Sequence, residues 1–376
     1  MEVKDIEIKF EGVANLSWTL PDSESKAFSG SETYIDEKIV FFEAEGESLI
    51  FHPAGYHVYK FDIALPTTIP SSFEGSKGYV RYKCTAIIDR GWKGDHQEEK
   101  SFIVIHHLDL NSTANVSMPV CAEGESAVEG CCCEVGIVYA KLMLPKKGFV
   151  PGEPVDFDIT IDNKSNTTVG GFSIDLRQTV CYTGYPEGGE CRADRSRNIK
   201  VSALPLFEFT DGVPSQSVRS ITGHATIPST PASKLEGCNI IDINYDFTLN
   251  LGAGWNDLVL EVEIFIGTIP LREQTVVPGT AVPVLVRFPG QHVATPTVAS
   301  GGQSSFPTTP DAPPSYEECL FGMMSKQAID SEGRGQSLSR PDAPPVYPYY
   351  SDWTTATVHA VTNQPQSTSA LVLHVT

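Results

Sequence analysis

The chain has 376 residues, a formal net charge of −20 at neutral pH and 40% hydrophobic residues. That length suits two domains and a tail, and the charge argues against broad nucleic-acid binding, because phosphate backbones need a basic surface. No stretch approaches the roughly 20 apolar residues of a membrane helix, and the start, MEVKDIEIKFEGVANLSWTL, alternates charged and apolar positions instead of forming a signal-peptide core.

Taken in chain order, residues up to about 288 read as strands joined by turns. Short alternating or apolar runs fall at Ile6–Phe10, Ile39–Phe42, Tyr56–Ile63, Tyr79–Ile88 and Phe102–Leu108. Further runs lie at Gly136–Leu144, Val155–Ile161, Phe172–Tyr182, Ile240–Leu249, Leu258–Ile266 and Val282–Phe288. Gly, Pro, Asn and Asp punctuate them, as turns require. Helical periodicity is absent here; Phe321–Ile329 is the single modest exception. The pattern predicts an all-β fold of two tandem β-sandwiches, immunoglobulin-like in layout. The polar, Gly-containing stretch Ser112–Gly130 reads as containing a hinge. Boundaries are therefore expected at 1–117 for the first sandwich, 118–130 for the hinge and 131–288 for the second. Between Lys146 and Pro154 two prolines and Gly152 mark a tight loop. From Pro289 onward Gly, Ser, Thr, Pro, Gln and Ala dominate, so 289–376 is expected to be a disordered, proline-containing tail.

That tail holds the most specific signal. Asp311-Ala312-Pro313-Pro314-Ser315-Tyr316 and Asp342-Ala343-Pro344-Pro345-Val346-Tyr347 are two PPxY peptides with the same approach. Adjacent prolines preset φ and bias each peptide to polyproline II, so little ordering entropy is left to lose on binding. The proline rings suit the aromatic groove of a WW domain. Tyr316 or Tyr347 would insert its ring in a neighbouring pocket while its hydroxyl finds a partner. The tyrosines lie 31 positions apart (347 − 316), a coil span of roughly 30 Å, which suits tandem WW domains of one partner. A phosphate on either tyrosine would place a dianion where an apolar ring is needed.

Other constellations are weaker. The nine cysteines argue for reduced thiols, being odd in number in a chain without a signal peptide. Cys131-Cys132-Cys133 lacks zinc-ligand spacing and reads as structural thiols, with palmitoylation or redox chemistry as alternatives. His106-His107 with Asp109 has no third ligand at suitable spacing, so neither a metal nor a cofactor is expected. The run Arg192–Lys200 is a solvated loop or a local basic patch. Leu251–Trp255 is a turn, not a phosphate loop. Asn15, Asn111, Asn115, Asn163 and Asn166 begin N-x-[ST] triplets, read here as by-products of Ser/Thr-rich strands. No nucleophile elbow, HExxH or kinase motif is present, and an enzyme is not indicated.

Several stretches are familiar in combination. Leu65–Gly75 (LPTTIPSSFEG) with Gly78–Tyr82 resembles the N-terminal arrestin domain of the α-arrestins, the arrestin domain-containing proteins. Lys147–Glu153 (KGFVPGE) with Ile161–Ser165 resembles the opening of their C-terminal arrestin domain, and Asp311–Gly322 and Asp342–Tyr347 resemble their tail motifs. The resemblance implies a non-enzymatic adaptor built on two arrestin-like sandwiches. Its tail would recruit WW-domain HECT-type ubiquitin ligases, with Pro313, Pro314, Tyr316, Pro344, Pro345 and Tyr347 at the docking positions. Its sandwiches would engage membrane receptors or transporters as cargo for ubiquitination, endocytosis and endosomal sorting. Such a chain is expected in the cytoplasm, recruited peripherally to plasma membrane and endosomes. Two departures stand out. Family members usually carry strands ahead of the one matching Ile6–Trp18, so the first sandwich is expected to be short of strands, and Gly91 stands where the family tends to place proline. The competing expectation is a signalling or redox scaffold that binds partners through the sandwiches, with WW binding incidental.

Overall fold

The structure, a computed structural model, describes residues 2–20, 27–44, 49–129, 134–186, 196–253 and 257–272, together with Tyr347, Tyr349, Tyr350 and the strand 369–375. The described residues are almost entirely β. The N-terminal part contains β1 (Glu2–Val3), β2 (Asp5–Thr19), β3 (Ala27–Glu43), β4 (Ile50–Phe51), β5 (Gly55–Phe61), β6 (Phe73–Glu74), β7 (Gly78–Asp89) and β8 (His96–Phe102). The C-terminal part contains β9 (Val120–Glu129), β10 (Glu134–Leu144), β11 (Gly148–Phe149), β12 (Pro154–Asn163) and β13 (Phe172–Pro186). It continues with β14 (Ser196–Phe209), β15 (Ser217–Thr226), β16 (Ile241–Leu251) and β17 (Leu258–Ile266). β18 (Ser369–Val375) comes from the far end of the chain.

Period-2 alternation explains the layers. In β2, Ile6, Ile8, Phe10, Ala14, Leu16 and Trp18 are buried while the intervening residues face outward. β2 lies between β3 and β7 in long antiparallel ladders. In the second sandwich β12 buries Val155, Phe157, Ile159 and Ile161, and β16 buries Ile241, Ile243, Tyr245, Phe247, Leu249 and Leu251. The sheet β15-β12-β10-β9 faces the one built on β14, β13, β16, β17 and β11. One contiguous apolar cluster runs through residues of both sandwiches.

The second sandwich is tied to the first by β13. Its end outruns its own partners, and Tyr185 and Pro186 pair with Ser29 and Phe28 of β3. A single ten-stranded sheet therefore passes from one sandwich into the other. The loop 65–75 packs into the same junction. A Cβ on Gly75 would lie 2.2 Å from the Tyr182 hydroxyl. Gly237, at φ +93°, approaches the Thr68 carbonyl so closely that a Cβ would lie 2.2 Å from it. Both carboxylate oxygens of Glu32 accept from Asn239, one from its backbone N–H and one from Nδ2, each at 3.0 Å.

Several expectations are corrected. The segment expected as a hinge, 118–130, is largely strand β9, paired with β10 from Val120↔Leu144 to Glu129↔Glu134. Its inward positions are small because Leu258 and Leu260 fill the space beside Gly124. The run Phe102–Leu108 is not a ladder strand. β8 ends at Phe102, and beyond it the backbone is held by side chains: Val104 N–H donates to Ser72 Oγ, His106 N–H to Ser71 Oγ and Leu108 N–H to Thr268 Oγ1. The basic run, read as a loop or a local patch, enters a strand, since Ser196–Lys200 opens β14 at a sheet edge. No correction falls on the tail; within 289–376 the described residues are Tyr347, Tyr349, Tyr350 and those of β18. β18 pairs antiparallel with β5, from Ser369↔Phe61 to Val375↔Gly55, and Tyr347 and Tyr350 pack at the junction. Val282–Phe288, Phe321–Ile329 and Cys131–Cys133 lie outside the described residues.

Candidate functional site

Of the six docking residues expected from the sequence, Pro313, Pro314, Tyr316, Pro344 and Pro345 lie outside the described residues. Tyr347 is described, and it is not at the surface. Its side chain is 4% exposed and belongs to the main apolar cluster.

The geometry around it follows from how the extended segment Val104–Leu108 is satisfied. Ser72 spends its N–H on the Val104 carbonyl (2.8 Å) and its hydroxyl on the Val104 N–H (3.0 Å). Its own carbonyl faces inward, and the Tyr347 hydroxyl donates to it at 3.2 Å. Thr268 repeats the arrangement on the second sandwich. Its N–H donates to the Leu108 carbonyl (2.9 Å), its Oγ1 accepts from the Leu108 N–H (2.7 Å), and its carbonyl accepts from the Tyr350 hydroxyl at 2.7 Å. Tyr350 is held a second time, its backbone N–H donating to the Pro151 carbonyl at 3.0 Å. Two phenols three positions apart thus finish two carbonyls on opposite sides of the junction. Buried carbonyls left unpaired would be costly, so both bonds contribute to holding the tail.

Burial pushes the Tyr347 phenol well above its ordinary range, reinforced by the nearby Tyr245 and Glu74. Burial also raises Tyr350. Both are neutral donors at physiological pH, as the bonds require. Gly152 makes the approach possible. At φ +90° it bends the Pro151–Glu153 turn, and a Cβ there would lie 2.1 Å from the Tyr350 carbonyl oxygen. Glu153 braces that turn from beneath, pairing with Lys146 and accepting from the Val150 N–H at 3.0 Å. The sequence marked this loop for its turn chemistry; its contact with the tail was not expected.

The other marked residues have structural partners. His106 Nδ1 lies 3.1 Å from the Ile69 carbonyl and Nε2 lies 3.7 Å from Glu236. Among the described residues no group of three possible metal ligands occurs. Cys84, Cys121, Cys181 and Cys238 are free thiols, and burial pushes the Cys84 and Cys238 thiols up, away from the reactive thiolate. A shallow open recess of about 430 Å³ lies at the junction between Glu32, Tyr34, Pro66 and Asn239. No described helix is long and apolar enough to cross a membrane.

Two antiparallel sandwiches in tandem, joined through a shared sheet and a packed junction, define a protein of the arrestin class. Residues 1–111 match the N-terminal domain of the arrestin (or S-antigen) family and residues 135–271 its C-terminal domain. The chain is 30% identical over 340 residues to arrestin domain-containing protein 17 of Caenorhabditis elegans, covering 85% of this chain and 72% of that one. It is 26% identical to human arrestin domain-containing protein 1 over 261 residues, or 66% of this chain and 57% of that protein. It is 24% identical over 336 residues to human thioredoxin-interacting protein, covering 85% and 76% of the two chains. The chain belongs to the α-arrestins, the arrestin domain-containing family.

Proposed function

We propose that this protein is a non-enzymatic trafficking adaptor that presents WW-domain HECT-type ubiquitin ligases to membrane-protein cargo. The observation that carries the reading is the pair of PPxY peptides, each preceded by Asp-Ala, attached to an arrestin body. Pro313, Pro314 and Tyr316 form one ligase-docking peptide and Pro344, Pro345 and Tyr347 the other. Polyproline II preorganisation favours each single contact, and two contacts to tandem WW domains add avidity. The sandwiches are the cargo-facing part. The adaptor works in the cytoplasm and is recruited peripherally to plasma membrane and endosomes, where cargo is ubiquitinated and sorted. Membership in a family of arrestin-domain adaptors supports the coarse role, and the tail peptides support the ligase.

The test is calorimetric titration of a 305–350 peptide with the tandem WW domains of a HECT-type ligase, wild type against Tyr316→Ala/Tyr347→Ala. Binding should be lost in the double variant. Undiminished binding would remove the assigned site.

A further inference from the structure

The junction of the two sandwiches is a binding site for the chain's own tail, and it takes the same tyrosine that the second PPxY peptide would offer to a WW domain. We infer that seating Tyr347 and Tyr350 in the junction withholds the second PPxY peptide from WW domains, so that the motif is available only when the tail leaves. This inference rests on the WW-docking reading above and adds its regulation.

Three observations carry it. The Tyr347 ring lies in the apolar cluster at 4% exposure, and its hydroxyl is engaged by the Ser72 carbonyl. A WW pocket needs that same ring and hydroxyl, so one tyrosine cannot serve both sites at once. Secondly, the seat is formed by both sandwiches: Ser72 comes from the first, and Pro151 and Thr268 from the second. The tail is clamped at two points three residues apart, with a backbone N–H used as well as two hydroxyls. Thirdly, Gly152 leaves room for the tail backbone where any side chain would collide with Tyr350. Together these describe a built receptor for a Tyr-x-x-Tyr segment. A ligand that binds only the released state sees its affinity reduced by the released fraction.

The experiment uses the full chain with Tyr316→Ala, so that only the second motif reports, and a single WW domain of a HECT-type ligase. A free 335–355 peptide should bind that domain at least about tenfold more tightly than the full chain does, as expected if a tenth or less of the tail is released. Tyr350→Ala in the full chain, which removes one clamp but leaves the motif intact, should bring the affinity to within about twofold of the same peptide carrying Tyr350→Ala. Equal affinity of peptide and full chain would overturn the inference. A second measurement does not depend on WW binding: nitration by tetranitromethane, with Tyr347 followed by mass spectrometry. Tyr347 should be protected in the wild-type full chain relative to the peptide, and unprotected Tyr347 would also overturn the inference. If the peptide itself fails to bind, the ligase-docking reading fails and the withholding of the motif fails with it, while nitration still decides whether the tail occupies the junction.

Discussion

Tyr347 donates its hydroxyl to the carbonyl of Ser72 at 3.2 Å, a bond between residues 275 positions apart that ties the second PPxY peptide to the first sandwich. Removing the hydroxyl with Tyr347→Phe keeps the ring packed and should weaken the docked state by about 1 kcal/mol. Tyr347→Ala also removes the ring and should cost about 2–4 kcal/mol of that state. Amide hydrogen exchange in the 70–75 loop measures both, and it should quicken far more in the alanine variant. Equal exchange in the two would contradict ring burial as the main hold.

The turn under the tail depends on Glu153, a carboxylate only 5% exposed that pairs with Lys146 and accepts from the Val150 N–H. Glu153→Ala strands both donors and should lower unfolding free energy by about 2–3 kcal/mol. Glu153→Gln keeps the bond to Val150 and should cost about 1 kcal/mol. Chemical denaturation of the two variants separates the roles of charge and hydrogen bond.

Asn163 is fully buried, and its amide organises the 163–167 turn. Nδ2 lies 2.8, 2.9 and 3.0 Å from the carbonyls of Thr167, Val213 and Pro214, while Oδ1 accepts from the Ser165 N–H at 3.0 Å and from its hydroxyl at 2.6 Å. In the folded chain this side chain is not offered to a glycosyl transferase, although it begins an N-x-[ST] triplet. Asn163→Ala should destabilise by about 2–4 kcal/mol, read as a lowered Tm.

Alkaline pH provides a global check. Burial raises the phenols of Tyr82, Tyr182 and Tyr245 above their ordinary value of 10.0, Tyr182 to about 12. The unfolded chain releases these protons first, so the stabilisation is complete below about pH 10 and declines as pH rises above it. Denaturation midpoints should therefore fall between about pH 10 and 12, and substituting Phe for Tyr182 should flatten the decline. A midpoint independent of pH in that range would rule out tight burial of these phenols.

The sandwiches were legible because strands such as β2 and β12 alternate cleanly, and KGFVPGE and LPTTIPSSFEG mark two junction loops. β9 was hidden for a physical reason. Its inward positions Ala122, Gly124 and Ser126 are small where Leu258 and Leu260 fill the interior, which erases the period-2 signal. Only the start of β14 falls in the run Arg192–Lys200, where Arg197 and Lys200 on an edge strand give the pattern of a solvated loop or a local basic patch. Residues 103–108 misled in the opposite direction, since an apolar extended run can be satisfied by serine and threonine side chains without a neighbouring strand. The Pro-Pro-Val-Tyr motif that ends at Tyr347 was readable from four adjacent residues. Its seat was not, because the acceptors at Ser72 and Thr268 are main-chain carbonyls that carry no residue-type signature.

The rungs between β13 and β3, Tyr185↔Ser29 and Pro186↔Phe28, bear on how the molecule melts. With the sheet and the apolar cluster both crossing the boundary, neither half can denature without exposing the other's flank. Heating should therefore give a single calorimetric peak instead of two, its van't Hoff and calorimetric enthalpies agreeing. The two sandwiches are successive in sequence, but the shared sheet and cluster should make them melt as one cooperative unit.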